Sequence, residues 1–182
     1  MIELALPWSD RAIAIRDVAD VESWLRDDEL AIARAFPREK RRQEWMLART
    51  AARMLARRRG LGDVDVVRPL VSVSHSGGWA AAAIDTAPVG IDIEVVRDVS
   101  ERAARHFLSD TEAEQMRACS IPHRLLHFWC AKEAAWKRLC GSIPFLKSVP
   151  LTLLDERANA LRFDNAETIA IDDVVVALSP RA

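Results

Sequence analysis

Two blocks of helical periodicity and two blocks of strand periodicity alternate along this chain, and that ordering constrains its fold more than any single residue does. From residue 17 to 35, Val18, Val21, Trp24, Leu25, Ile32 and Phe36 recur at roughly helical spacing. Pro37 closes that segment and opens a second helix, predicted from about Arg38 to Arg59, with Gly60 as its C-terminal glycine. Trp45, Ala48, Ala52 and Leu55 form its apolar stripe. Strand signals follow. Val71 to Ser74 alternates, Trp79 to Ile84 is apolar, and Val89 to Val95 alternates after Pro88, with Gly77-Gly78 and Ala87-Pro88 as turns.

Helical signals return after Ser100. Ser109-Asp110-Thr111-Glu112 has the form of a capping box, and a long helix is expected from near Pro122 to Gly141. From Val149 onward come short β-like runs at Leu151–Leu154, Leu161–Phe163, Thr168–Ile171 and Val174–Leu178. Helices, strands, helices, strands read as an α+β protein of two similar halves, residues 1–97 and 98–182. The short likeness between Ala48–Ala52 and Ala131–Ala135 agrees with such a duplication.

The 182 residues suffice for one or two small domains with a real core. A formal net charge of −1 excludes a protein built as a whole to bind polyanions, so any such role must be local. No apolar run approaches the ~20 residues that span a bilayer, and the first residues lack the basic-then-apolar pattern of a secretory signal. Cys119, Cys130 and Cys140 show no metal spacing and read as reduced, buried thiols. Together these features predict a cytoplasmic protein without membrane attachment.

Three stretches carry chemistry. Asp92 and Glu94 are two apart on a predicted strand and so share a face, with Ile91 and Ile93 directed to the core. Paired carboxylates repel unless a cation lies between them, and hard oxygens of this kind suit Mg²⁺. A solvated edge strand would carry the same pattern. Glu133 lies in Trp129-Cys130-Ala131-Lys132-Glu133-Ala134-Ala135-Trp136-Lys137, where Trp129, Glu133 and Lys137 fall on one helix face. An ordinary surface pair is the plain reading of Glu133 and Lys137, although the flanking tryptophans imply a partly covered face. Ser72-Val73-Ser74-His75-Ser76-Gly77-Gly78 places hydroxyls, an imidazole and mobile backbone at a strand end, groups able to hold phosphate oxygens. Ser74 and His75 are adjacent on a strand and must diverge, which argues against a serine hydrolase pair. The segment Arg34–Arg59 is densely basic, with Glu39 and Glu44 opposing it, and no known nucleic-acid motif accompanies it.

Taken in order, Val73-Ser74-His75-Ser76-Gly77-Gly78-Trp79, Val89-Gly90-Ile91-Asp92-Ile93-Glu94 and Phe128-Trp129-Cys130-Ala131-Lys132-Glu133 with Lys137 resemble the 4'-phosphopantetheinyl transferase superfamily, in its Sfp-type branch of two halves in one chain. Phe107-Leu108-Ser109 and Glu112 match the segment between the second and third motifs. The resemblance runs from about Pro37 to Val149. It implies the transferase-like α+β fold, with the active site between the halves and complete in a monomer. It implies transfer of phosphopantetheine from coenzyme A to a serine of an apo acyl or peptidyl carrier protein, giving holo carrier protein and 3',5'-ADP. By the same resemblance, Asp92, Glu94 and Glu133 hold Mg²⁺ on the CoA pyrophosphate, and Glu133 takes the serine proton directly or through water. Lys137 contacts phosphate, and Ser74 and His75 hold the nucleotide phosphates. Lys40, Arg41, Arg42, Arg49 and Arg53 are candidates for the 3'-phosphate. The chain departs from the family where Val67-Arg68-Pro69 replaces a Gly-Lys-Pro element and the segment before the Ser-His motif is short. The pathway served, whether fatty acid, polyketide or peptide synthesis, is not legible.

Overall fold

The computed structural model describes residues 1–62, 64–65, 70–140 and 142–180. The element Val67-Arg68-Pro69 and the helix-ending Gly141 lie outside them. Nine strands form two antiparallel sheets among the described residues. The first contains β1 (Ile2–Glu3), β2 (Ala12–Arg16), β3 (Val71–Ser76) and β4 (Trp79–Ile84), in the order β1-β2-β4-β3. The second contains β5 (Gly90–Val95), β6 (Leu153–Arg157), β7 (Ala160–Phe163), β8 (Glu167–Ile171) and β9 (Val174–Ser179), in the order β5-β9-β8-β7-β6. The helices are α1 (Asp27–Arg34), α2 (Glu39–Arg58), α3 (Glu101–Ala104), α4 (Asp110–Ala118) and α5 (Arg124–Arg138).

Each sheet buries two faces, and the small residues of β4 show how. Ala80 and Ala82 meet Ala48, Ala51, Ala52 and Leu55 of α2, together with Ile13 and Ile15. On the opposite face Trp79, Ala81 and Ala83 meet Ile91, Ile93, Val174, Val176 and Leu178 of the second sheet. The outer face of that second sheet takes α5, with Cys130 and Ala134 against Val175 and Ala177. Phe128 and Ala131 join Phe107, Met116, Leu161 and Phe163 in a further cluster under α4. The result is helix, sheet, sheet, helix, with α2 and α5 outermost.

Local signals explain most boundaries. Gly60 ends α2 with φ +66, and Leu61 N–H returns to the Ala56 carbonyl at 3.0 Å. Gly77 and Gly78 (φ +56 and +88) close the β3–β4 hairpin as a two-residue turn requires. The capping box forms as read: Glu112 accepts from Ser109 N–H at 2.7 Å, and Ser109 Oγ accepts from Glu112 N–H at 3.3 Å.

Three expectations need correction. The first helical block is not one helix: left-handed Asp17 and Asp20 precede a 3₁₀ turn at Val21–Trp24, and the extended backbone of Leu25 and Arg26 parts that turn from α1. The chain also opens with strands, since β1 and β2 precede every helix. Cys119 and Cys130 are buried thiols as expected, but Cys140, just past the end of α5, is exposed. No described helix is long and apolar enough to cross a membrane.

One core residue is expected to make the fold pH-sensitive. His127 of α5 is fully buried, its Nδ1 2.7 Å from Thr168 Oγ1 and its Nε2 without a hydrogen-bond partner among the described residues. Burial, helped by the nearby charge of His123, pushes its pKa down to about 4. An unfolded histidine titrates near 6.5, so below that pH the unfolded chain binds a proton that the folded one refuses. Stability is therefore expected to hold above pH 7 and to fall by about 2–3 kcal/mol between pH 7 and pH 4 from this residue alone. Urea titrations of the wild type and of His127→Gln across that range check it, because the variant should lose this part of the dependence.

Candidate active site

The site grows from a seam between two edge strands. β3 ends the first sheet, β5 ends the second, and the two run side by side without a backbone ladder. Serines at every second position of β3 supply the missing bonds. Ser72 Oγ accepts from Ile91 N–H at 3.1 Å, and Ser76 Oγ accepts from Val95 N–H at 3.2 Å. Ser74 Oγ donates to Asp92 Oδ1 at 2.8 Å, and Ser76 Oγ donates to Glu94 Oε2 at 2.9 Å. An edge that would otherwise present bare donors is thus covered by hydroxyls.

Asp92 and Glu94 share one face of β5, as their spacing predicts, but this is no solvated edge: Asp92 is only 4% exposed. Its Oδ1 also accepts from Lys137 Nζ of α5 at 2.7 Å, and the same ammonium donates to the Ile91 carbonyl at 3.0 Å. Among the described residues no N–H or O–H donor reaches the buried Asp92 Oδ2. The thiol of Cys130 lies against the same carboxylate, and its pKa is raised well above normal by burial first and then by Asp92 and Glu94. Glu94 additionally accepts from the Arg97 guanidinium at 3.3 Å. Glu133 is half-buried on α5, one turn before Lys137. Asp92, Glu94 and Lys137 therefore converge. The three carboxylates do not close into one cluster, for no group of three His, Cys, Asp or Glu among the described residues is tight enough to hold a metal ion.

The adjacent Ser74 and His75 diverge. Ser74 turns to β5, whereas His75 faces α2, with Nε2 2.8 Å from Arg41 Nη1 and Nδ1 3.7 Å from Glu44. Burial lowers the His75 pKa, partly offset by Glu44 and reinforced by Arg41. Neutral imidazole fits this geometry, because its Nε2 must accept from a guanidinium that can only donate.

Of the five basic candidates on α2, Arg41 alone reaches the Ser-His segment in these contacts. Lys40 is exposed 3.9 Å from Glu44, and Arg42 pairs with Glu39. Arg53 donates to the buried Glu29 of α1 through Nε at 3.1 Å and Nη2 at 2.8 Å. Arg49 lies 3.6 Å from the same carboxylate, with its guanidinium 3.4 Å from the Trp45 ring centre. Trp45, assigned to the apolar stripe, is thus a stacking platform at its margin.

Two features were not found from sequence. Lys132 is fully buried: its Nζ donates to Glu112 Oε1 at 2.7 Å and to the Val149 carbonyl. The capping glutamate of α4 thereby also anchors α5, and only the capping box hinted at it. The serine seam was the other, although the alternation of Ser72, Ser74 and Ser76 was its visible signal.

Likeness to known proteins assigns the chain to a family. The family model described as the 4'-phosphopantetheinyl transferase superfamily matches residues 88–178, half of the chain, from β5 through α5 to β9. The chain belongs to the 4'-phosphopantetheinyl transferase superfamily. Over 110 residues it is 33% identical to the 4'-phosphopantetheinyl transferase psf-1 of Bacillus pumilus, covering 56% of this chain and 47% of that protein. Over 70 residues it is 36% identical to the 4'-phosphopantetheinyl transferase Sfp of Bacillus subtilis strain 168, covering 37% of this chain and 31% of that protein. The chain thus spans less than half the length of these relatives.

Proposed function

We propose that this chain transfers the 4'-phosphopantetheine group of coenzyme A to a serine of an apo acyl or peptidyl carrier protein. The observation that carries the reading is Asp92, a buried carboxylate with Ser74 and Lys137 on one oxygen and, among the described residues, no N–H or O–H donor on the other, beside Glu94. An open buried carboxylate oxygen next to a second carboxylate fits Mg²⁺, a hard cation that keeps positions for phosphate oxygens. Asp92 and Glu94 would hold it, with Glu133 drawn in from α5 as the third carboxylate, and when bound it supplies charge neutralisation to the pyrophosphate.

The chain's own groups account for the rest. Lys137, already held near Asp92, adds positive charge where the attacked phosphorus gathers negative oxygens. The carrier's serine oxygen forms the new bond to phosphorus, the anhydride P–O bond breaks, and 3',5'-ADP leaves. Glu133 accepts the serine proton, directly or through water. The nucleophile belongs to the partner, consistent with the Ser74 hydroxyl being buried and committed to Asp92. His75 and Arg41 line the approach of the nucleotide phosphates.

The two-halves reading is supported by the layering, in which each sheet has one long helix outside it and meets the other sheet inside. With the division near residue 97, β5 would belong to the first half by sequence while pairing with β9 in the second sheet. Because β3, β5, α2 and α5 come from one chain, we propose a monomeric enzyme, and its free cysteines favour a reducing, cytoplasmic setting.

Mass spectrometry of an apo carrier protein incubated with the chain, CoA and Mg²⁺ tests the function. The expected result is a phosphopantetheine mass gain on the carrier, lost with chelator. CoA cleavage without any carrier modification would overturn it.

The basic helix divides under this reading. Neutralising Lys40 and Arg41 together is expected to raise the KM for CoA more than that for dephospho-CoA, with kcat less affected. Arg53→Ala is expected instead to lower stability, since it strips a charge partner from the buried Glu29. Steady-state kinetics with both donors and thermal melts separate the two.

A further inference from the structure

We infer that Ser74 and Ser76 are positioning residues that aim the carboxylates of Asp92 and Glu94, so that the Ser-His segment serves the acidic pair on one face and the nucleotide side on the other. The inference deepens the proposed metal-dependent transfer and rests on it.

The geometry of Ser76 carries the argument. A serine hydroxyl has one proton. Val95 N–H occupies a lone pair of Ser76 Oγ, so the remaining O–H is directed to Glu94 Oε2. The backbone of β5 thus dictates, through one hydroxyl, where the Glu94 carboxylate sits. A chain of donor, hydroxyl and carboxylate polarises along its length and strengthens each bond. Arg97 alone is a weak substitute, being about half exposed and 3.3 Å away.

Ser74 acts similarly on Asp92. Two donors, Ser74 Oγ and Lys137 Nζ, converge on Oδ1, which fixes the rotation of the carboxylate and leaves Oδ2 as the open oxygen. Ser74 is 9% exposed and its proton is committed, which turns it away from the phosphate-binding role that the family resemblance implied.

The seam holds these hydroxyls in place. At Gly77 a Cβ would lie 2.3 Å from Val95 Cγ2, so the β3–β4 turn sits directly on β5. Ser72 completes the seam by accepting from the Ile91 amide, and among the described residues it hydrogen-bonds no carboxylate. It is therefore an internal control: a structural role and a positioning role separate at this one residue.

The test compares Ser76→Ala, Ser76→Thr and Ser72→Ala in the full chain. Calorimetric titration with MgCl₂ or MnCl₂ should show divalent affinity lowered about 10-fold or more in Ser76→Ala, the usual scale for losing a group that orients a ligand. Ser76→Thr, which keeps the hydroxyl and suits a strand, should restore it. Ser72→Ala should lower the melting temperature without changing divalent affinity. Three-bond couplings reporting Glu94 χ1 in the metal-free chain give a second readout: one rotamer in wild type, averaging in Ser76→Ala. Unchanged affinity or an unchanged single rotamer in Ser76→Ala overturns the inference. A wild-type chain that binds neither cation would instead overturn the metal-dependent reading, and the rotamer measurement would still decide the role of Ser76.

Discussion

Replacing Glu133 with glutamine is expected to lower transfer by about 10²-fold or more, the scale for losing a general base, while the protein remains folded. Glutamine keeps the shape and most of the packing of a half-buried side chain on α5, so neither core nor helix should suffer. What disappears is the negative charge and the basicity. Under the proposed function both matter, because the same oxygen set helps hold a cation and takes the serine proton. The two contributions can be distinguished. If Glu133 mainly holds the metal, raising Mg²⁺ should recover much of the rate. If it mainly takes the proton, saturating Mg²⁺ leaves the single-turnover rate low at every concentration. A single-turnover rate close to wild type would remove Glu133 from both roles.

How far the site was readable in advance depended on whether its contacts were local. The i, i+2 relation of Asp92 and Glu94 and the i, i+4 relation of Glu133 and Lys137 follow from strand and helix geometry, so placing each pair on one face needed no tertiary knowledge. The divergence of Ser74 and His75 followed for the same reason. The capping box at Ser109 and the Gly60 terminus of α2 are likewise settled within a few residues.

Long-range partners were not readable. Arg49 and Arg53 sit in a basic helix like any solvated pair, and only the packing of α1 brings Glu29 to them. Lys132 carries no local signal of burial, yet it is enclosed by α4 and the segment before β6. β2 escaped because Ala12-Ile13-Ala14-Ile15 is buried on both faces and so lacks the polar alternation by which strands are recognised. The seam between β3 and β5 showed only as alternating serines, which do not name their partner strand. Side chains, not backbone, join the two edges, and no strand-pairing rule anticipates that.

The glycine between Val89 and Ile91 links fold to site most directly, and Gly90→Ala is expected to damage both. Its φ is unremarkable, so the constraint is space. A Cβ on Gly90 would lie 1.8 Å from the Ala134 carbonyl oxygen and 2.8 Å from the Arg138 backbone nitrogen. Both atoms belong to the backbone of α5, so no rotamer change relieves the contact. The strand or the helix must shift. Forcing one methyl into such a contact is expected to cost about 3 kcal/mol or more. At about 2–4 °C per kcal/mol for a chain of this size, the melting temperature should fall by roughly 6–12 °C. The position of the clash matters further. Ala134 follows Glu133 and Arg138 follows Lys137, so the push falls on the turn that carries both groups. Displacing that turn by ~1 Å relative to Asp92 should cost activity on the order of 10²-fold even in molecules that stay folded. Gly78 is the comparison. Its φ of +88 strains an alanine, but nothing lies within 4 Å of its Cβ position. Gly78→Ala should therefore cost only about 1 kcal/mol and leave the chemistry intact. Calorimetric melts and single-turnover rates on the two variants test this ordering. Equal losses at both positions would mean that backbone strain, rather than the close approach of β5 to α5, is what glycine relieves in this motif.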